Sequence, residues 1–273
     1  MTLQTFKDRF IFDSSKTGYL GVERECFIVD QTGLIVPKAD ALIQHIRTYG
    51  WPTNLDDKKR VDPGYTVGYE LSNAQIELRT RPHPSAASLR EELRLNDKNL
   101  TRSMSQMRLA PLHTEVGPED MTLDVYPDPT GRYQSITRDM PRAVLLAACR
   151  VTGTHVHVGM KDHEMALHVY NYVTRHLTEL CEVGNGSFGE RLAIYRQMAP
   201  DYKPMPYESW DAYYQTALAK GFSEDPRQCW TLIRISVHGT IEFRMFGATD
   251  SIYRIITWAG RCLELCQEAM ALA

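Results

Sequence analysis

The stretch Gly21–Asp30, GVERECFIVD, alternates polar and apolar residues in the manner of a β-strand. Successive side chains on a strand point to opposite faces, so Glu23 and Glu25 share one face, about 7 Å apart. Val22, Cys26 and Ile28 make the other face apolar, and only Arg24 breaks it. A single pair of this kind suits any half-exposed strand. Its meaning depends on whether other segments repeat it.

Three do. Gln75-Ile76-Glu77-Leu78-Arg79 sets Gln75, Glu77 and Arg79 opposite Ile76 and Leu78. Thr154-His155-Val156-His157-Val158-Gly159 places both imidazoles on one face with valines behind. Thr240–Met245 puts Glu242 and Arg244 opposite Ile241, Phe243 and Met245. The strand expected to pair with it, Leu232–Val237, adds Arg234 and Ser236 opposite Ile233, Ile235 and Val237. If these strands share a sheet, its polar face gathers glutamates and imidazoles, which suit divalent cations such as Mg²⁺ or Mn²⁺. Arginines among them suit phosphate and carboxylate groups. Such a set fits phosphoryl transfer, where positioning and charge neutralisation supply most of the catalysis.

Each segment alone has a plainer reading. Glu23 and Glu25 fit a solvated strand face, Glu242 and Arg244 a surface ion pair of little energetic value. Glu77 and Arg79 fit a cross-strand pair, and His-x-His on a strand is commonly structural. The recurrence of one geometry in four segments favours a shared site.

Helices are expected over 39–49, within 82–110, and over 140–149, 162–183, 208–220 and 252–272. A hairpin turn is expected at Asp30–Gly33, and a loop or short strand over 61–69. Tyr195, Tyr202, Tyr207, Trp210 and Tyr213 lie in or beside the irregular stretch 184–206, as packing or as pocket walls. Strands interleaved with long helices predict an α+β fold with a largely antiparallel sheet, read as one domain over 1–273.

Composition narrows the function classes. The chain has 273 residues, 24% of them charged, and a formal net charge of −3, so no basic surplus points to nucleic acid. No apolar run reaches the length needed to span a bilayer. The opening MTLQTFKDRFIFDSSK lacks an apolar signal region, which predicts the cytoplasm. The six cysteines are scattered with no CxxC, and free thiols are expected.

The ordered set GVERE, QIELRT, GTHVHVG and GTIEFR resembles the glutamate–cysteine ligases, in particular the YbdK-type carboxylate–amine ligase branch. Gly131-Arg132-Tyr133-Gln134 and Arg196 followed by Pro204-Met205-Pro206 agree with it. The resemblance implies a glutamine-synthetase-like fold, in which a curved antiparallel sheet forms a funnel backed by helices. It implies that Glu23, Glu25, Glu77 and Glu242 hold Mg²⁺ (or Mn²⁺), with His155 as a further ligand. Arg244 would grip the transferring phosphate. Gln75, Arg79, Arg132, His157, Arg196 and Arg234 would contact ATP or substrate. The implied reaction is ATP-dependent: a glutamate-like carboxylate is activated as an acyl phosphate, then attacked by an amine to give an amide. The identities of carboxylate and amine, the number of metal ions and any homo-oligomeric state stay open.

The chain also departs from that pattern. Asn73 stands where those relatives have a glutamate, and Gly247 where an aspartate is usual, with Asp250 coming later. Relatives continue in further helices past the last motif. Two other readings compete: a catalytically silent relative that binds nucleotide or amino acid, and a metallohydrolase built on His155, His157 and a glutamate.

Overall fold

The computed structural model of the chain describes residues 1–55 and 66–272. Its strands are β1 (Leu20–Asp30), β2 (Val67–Tyr69), β3 (Gln75–Arg79), β4 (Leu109–Leu112), β5 (Gly153–Gly159), β6 (Ile233–Ser236) and β7 (Thr240–Gly247). Its α-helices are α1 (Leu3–Lys7), α2 (Ala39–Arg47), α3 (Ala86–Gln106), α4 (Arg132–Thr137), α5 (Arg142–Arg150), α6 (His163–Val173), α7 (Leu177–Val183), α8 (Glu190–Met198), α9 (Trp210–Ala219) and α10 (Ile252–Ala271).

The strands form one seven-stranded sheet in the order β2-β3-β1-β5-β7-β6, with β4 pairing the far end of β1. Every ladder between these strands is antiparallel, so the expected α+β architecture is the one observed. β1 lies at the centre because both of its edges find partners: Glu23 sits between Arg79 of β3 and His155 of β5.

The alternation sorts the two faces. Val22, Val156, Val158, Ile241 and Phe243 join α6 and α10 residues such as Ala166, Val169, Ala259 and Cys262 in the main core. Cys26, Ile28, Ile76 and Leu78 pack with α2 and α3 residues Leu42, Ile46, Leu100 and Met104 in a second cluster. Burying these side chains at about 25 cal/mol per Å² of apolar area holds the helices against one side of the sheet. The other side carries the polar residues.

Arg24, the break in the apolar face, is 2% exposed. Its Nη1 meets Asp97 of α3 at 2.5 Å and its Nη2 donates to Thr249 O at 3.1 Å. A buried cation is tolerated when paired and hydrogen-bonded in this way.

Several sequence expectations shift. The helix expected over 162–183 divides, with a 3-10 turn at Thr174–His176 between α6 and α7. The segment 184–206, read as irregular, contains α8. The short α4 follows Gly131, in a segment for which the sequence sets no expectation. Leu109 and Ala110, at the end of the stretch expected to hold a helix, belong instead to β4, because Arg108 at φ 58° turns the chain out of α3. Of the stretch 61–69, residues 61–65 lie outside the described residues, and Val67–Tyr69 is β2. Among the described residues the cysteines are free, and no helix is long and apolar enough to cross a membrane.

Candidate active site

The polar face of the sheet floors a cavity of about 940 Å³. Its lining includes Glu23 and Glu25 from β1, Glu77 and Arg79 from β3, His155 and His157 from β5, Arg234 from β6, and Glu242 and Arg244 from β7. Period two within each strand, together with antiparallel register, brings these residues together. Glu25 stands opposite Glu77, and His157 opposite Glu242.

One wall is acidic and tightly tied. Arg79 Nε donates to Glu77 Oε2 at 2.6 Å and lies 3.2 Å from Glu23 Oε1. His155 Nδ1 is 3.2 Å from Glu23 Oε2, and His155 Nε2 is 3.6 Å from Glu25 Oε1. Gly153 N donates to Glu25 Oε2 at 2.7 Å. Across the floor, Arg234 grips both oxygens of Glu242, at 2.7 and 3.0 Å, while Arg244 Nη1 donates to Glu242 Oε1. The Arg244 guanidinium lies 5.7 Å from the ring centre of Trp230, within cation–π range.

The charges respond to this crowding. Burial pushes the Glu25 carboxyl up to about 7, with nearby Glu77 adding to the rise. Burial lifts Glu77 well above the usual range despite Arg79. For Glu242 the same burial is overcome by Arg234 and Arg244, which hold it far below the usual carboxylate range. Glu23 is likewise held low, by Arg79 and His157 against its burial. Burial depresses His155 to about 4, leaving a neutral imidazole, whereas Glu23 and Glu242 outweigh burial at His157 and raise it.

Several groups sharing so little water accept a cation readily. Ligand atoms of Glu23, His155 and Glu242 lie within 4.8 Å of one another, and among the described residues His157 Nε2 is buried without a hydrogen-bond partner, 3.7 Å from Glu23 Oε1. Carboxylate oxygens with one neutral imidazole form a donor set that fits Mg²⁺ or Mn²⁺.

Two predicted residues sit elsewhere. Gln75 is 3% exposed and spends its amide on Cys149 O and Val151 O, at 2.9 and 3.0 Å, tying the end of α5 to the sheet. Arg196 is exposed on α8 and stacks over Tyr202 at 4.9 Å, away from the cavity lining. Arg132 does line the cavity, 3.7 Å from Asp225. Tyr195, Trp210 and Tyr213 belong to the main core, and Tyr202 and Tyr207 pack against it.

The structure adds residues that the alternation does not reveal. Glu70, just past β2, lines the cavity beside Glu25 and Glu23, and burial with their charges raises it to about 8. Trp230 and the N-terminal residues Asp8, Arg9 and Ile11 also line the cavity. Asn73 faces away, bonding Asp124 Oδ2 at 2.9 Å and the amide of Asp40 at 3.0 Å. Gly247 leaves room for Glu115: a Cβ there would stand 2.0 Å from Glu115 Oε1, the oxygen that accepts from Gly186 N at 2.6 Å.

The polar face of the sheet thus sets acids, imidazoles and arginines side by side, a set suited to holding cations and anions together. The model of glutamate-cysteine ligase family 2 matches residues 19–181, and the chain belongs to that family. A protein of Gloeobacter violaceus named "Putative glutamate--cysteine ligase 2" is 28% identical over 262 residues, covering 90% of this chain and 66% of its own. A Bradyrhizobium protein of the same name is 26% identical over 238 residues, covering 82% of this chain and 55% of its own. This chain thus spans roughly half to two thirds of the length of the curated relatives it matches.

The fold is shared with a bifunctional glutathione synthetase from Pasteurella multocida, with TM-score 0.59 and 13% identity over 94% of this chain and 41% of that one. It is shared also with glutamate–cysteine ligase of Francisella tularensis in complex with AMP, with TM-score 0.56 and 14% identity over 97% of this chain and 72% of that one.

Proposed function

We propose that the chain is an ATP- and Mg²⁺-dependent carboxylate–amine ligase that forms an amide, of γ-glutamyl type, through an acyl phosphate. The observation that carries this reading is the gathering of Glu23, Glu25, Glu77 and His155 in one cavity with an arginine-gripped Glu242.

The chemical obstacle is electrostatic. A carboxylate must attack a triphosphate, and both are anions that repel one another in a half-dry site. Glu23, Glu25, Glu77, Glu242 and His155 would hold Mg²⁺, which neutralises phosphate oxygens when bound. Arg244 lines the cavity beside Trp230, and among the described residues its Nε has no hydrogen-bond partner, which suits it to the transferring phosphate. Arg234 and Arg132 flank the same space with further positive charge.

The substrate carboxylate oxygen would bond to the γ-phosphorus as the bond to ADP breaks. The amine nitrogen would then attack the acyl carbon, phosphate would leave with the electron pair of its C–O bond, and the nitrogen would lose a proton. The cytoplasm, where ATP and Mg²⁺ are supplied together, is the compartment this chemistry needs.

The test is ADP release measured with ATP, Mg²⁺, L-glutamate or other amino acids, and a panel of amines. Release should require all the components together. ADP release indifferent to every carboxylate, or none across the panel, would overturn the reading.

A further inference from the structure

The ladder between β5 and β7 contains an irregularity at the centre of the site. Val156 pairs with Phe243, but Thr154 pairs with Phe246. One residue of β5, His155, therefore stands against two of β7, Arg244 and Met245. That is a β-bulge, a device that redirects side chains and frees backbone groups from the ladder. Buried carbonyls freed in this way, here those of Arg244 and Met245, are costly if nothing binds them.

Arg191 binds both. This side chain of α8 is 3% exposed, and its guanidinium reaches the sheet to donate Nη1 to Met245 O at 3.1 Å and Nη2 to Arg244 O at 3.3 Å. Its Nε donates to Thr152 O at 2.8 Å, just ahead of β5. One planar group thus spans both strands of the bulge. Three donors in a fixed fork suit this task in a way that a lysine ammonium does not.

The neighbouring glycine makes the reach feasible. A Cβ on Gly153 would stand 2.3 Å from Arg191 Nη2, so the first residue of the GTHVHVG strand must lack a side chain. The same Gly153 gives its N–H to Glu25. Glu25, His155 and Arg244 are therefore all one step from the Arg191 fork, through Gly153 or through the bulge.

We infer that Arg191 is a positioning residue for the phosphate-handling site: by plugging the bulge it fixes where His155 and Arg244 face each other, and through Gly153 it fixes Glu25. It does not line the cavity. This inference rests on the ligase reading for its catalytic consequence, but its effect on metal binding can be read without any turnover.

The experiment compares wild type with Arg191→Lys and Gly153→Ala, the second of which pushes the guanidinium from its place while leaving it present. Mn²⁺ affinity is measured by titration without nucleotide, and kcat and KM for ADP release are measured separately. Both variants should remain folded by circular dichroism, bind Mn²⁺ at least about fivefold more weakly, and lose kcat at least about tenfold with KM for ATP within about threefold of wild type. Wild-type Mn²⁺ affinity and wild-type kcat in the folded variants would overturn the inference, because a residue that only stabilises the fold moves neither. Failure of both variants to fold would also overturn it, by making Arg191 a support of the whole sheet. A wild-type protein that binds Mn²⁺ yet releases no ADP would refute the ligase reading alone, leaving the Mn²⁺ comparison to decide this one.

Discussion

Arg234 meets Glu242 with two parallel hydrogen bonds, Nε to Oε2 at 2.7 Å and Nη2 to Oε1 at 3.0 Å. The same carboxylate accepts from Arg244, so one negative charge binds two cations at the floor of the cavity. Replacing it by an amide of the same shape should leave those guanidiniums facing one another unneutralised. Glu242→Gln is expected to lower ADP release at least about a hundredfold while the far-ultraviolet circular dichroism stays that of wild type. Near-normal release would remove Glu242 from the machinery.

The bidentate geometry makes a second prediction. Arg234→Lys keeps the charge but offers no fork to match the carboxylate. Losing one charge-assisted bond costs about 1.5–3 kcal/mol, which corresponds to roughly a tenfold or greater fall in kcat. Steady-state kinetics at saturating ATP check this; an unchanged kcat would mean that the orientation of Glu242 does not matter.

Behind the sheet, Asp97 is the charged partner of Arg24, which is 2% exposed. Asp97→Ala leaves that guanidinium with Thr249 O and no counter-charge. Removing one member of a buried pair is strongly destabilising, and with Asp97 part-exposed we expect about 2 kcal/mol or more in urea unfolding. The kcat of the folded fraction should be unchanged, because Arg24 points away from the cavity.

Stability should also depend on pH and on metal. Glu25 and Glu70 are raised to about 7 and about 8, so the folded chain holds protons there that the unfolded chain has released. Their stabilising contribution is complete below the ordinary carboxylate range and is lost as pH rises through the folded values. Between about pH 4 and 6.5 this trend is opposed by His155, His113 and His238, all depressed to about 4, whose contribution grows with pH. Above pH 6.5 the unfolded chain loses the last of its histidine protons and that opposition fades, so the acids decide, joined by the raised His157, whose contribution is also lost as pH rises. Without metal, the melting temperature should fall from pH 6.5 to 8; millimolar Mg²⁺ should reverse most of that fall, since a cation stabilises the ionised acids. A flat profile in EDTA would contradict the crowding of these carboxylates.

Much of this site was legible in the chain because strands write their faces in alternate residues. Glu23, Glu25, Glu77, His155, His157, Glu242 and Arg244 all lie in such runs, and antiparallel pairing makes a polar face continuous from strand to strand. The errors fall where period two gives no guidance. Gln75 satisfies the alternation, yet it sits at the end of β3 where backbone carbonyls of the neighbouring α5 segment draw its amide away. Glu70 follows a three-residue strand, too short to show a pattern. Arg191 and Arg196 share α8, five residues apart, and only the helix's docking decides that the first turns inward and the second outward. The bulge at Arg244–Met245 is likewise a property of paired strands, invisible in either one.

The most direct measurement is anomalous diffraction from crystals soaked with Mn²⁺ and a non-hydrolysable ATP analogue. A Mn²⁺ peak is expected at about 2.1 Å from oxygens of Glu23 and Glu242 and a nitrogen of His155, with the terminal phosphate on the Arg244 side of the ion. A triphosphate bound in the cavity with no anomalous peak among those three residues, or a metal held elsewhere, would contradict it.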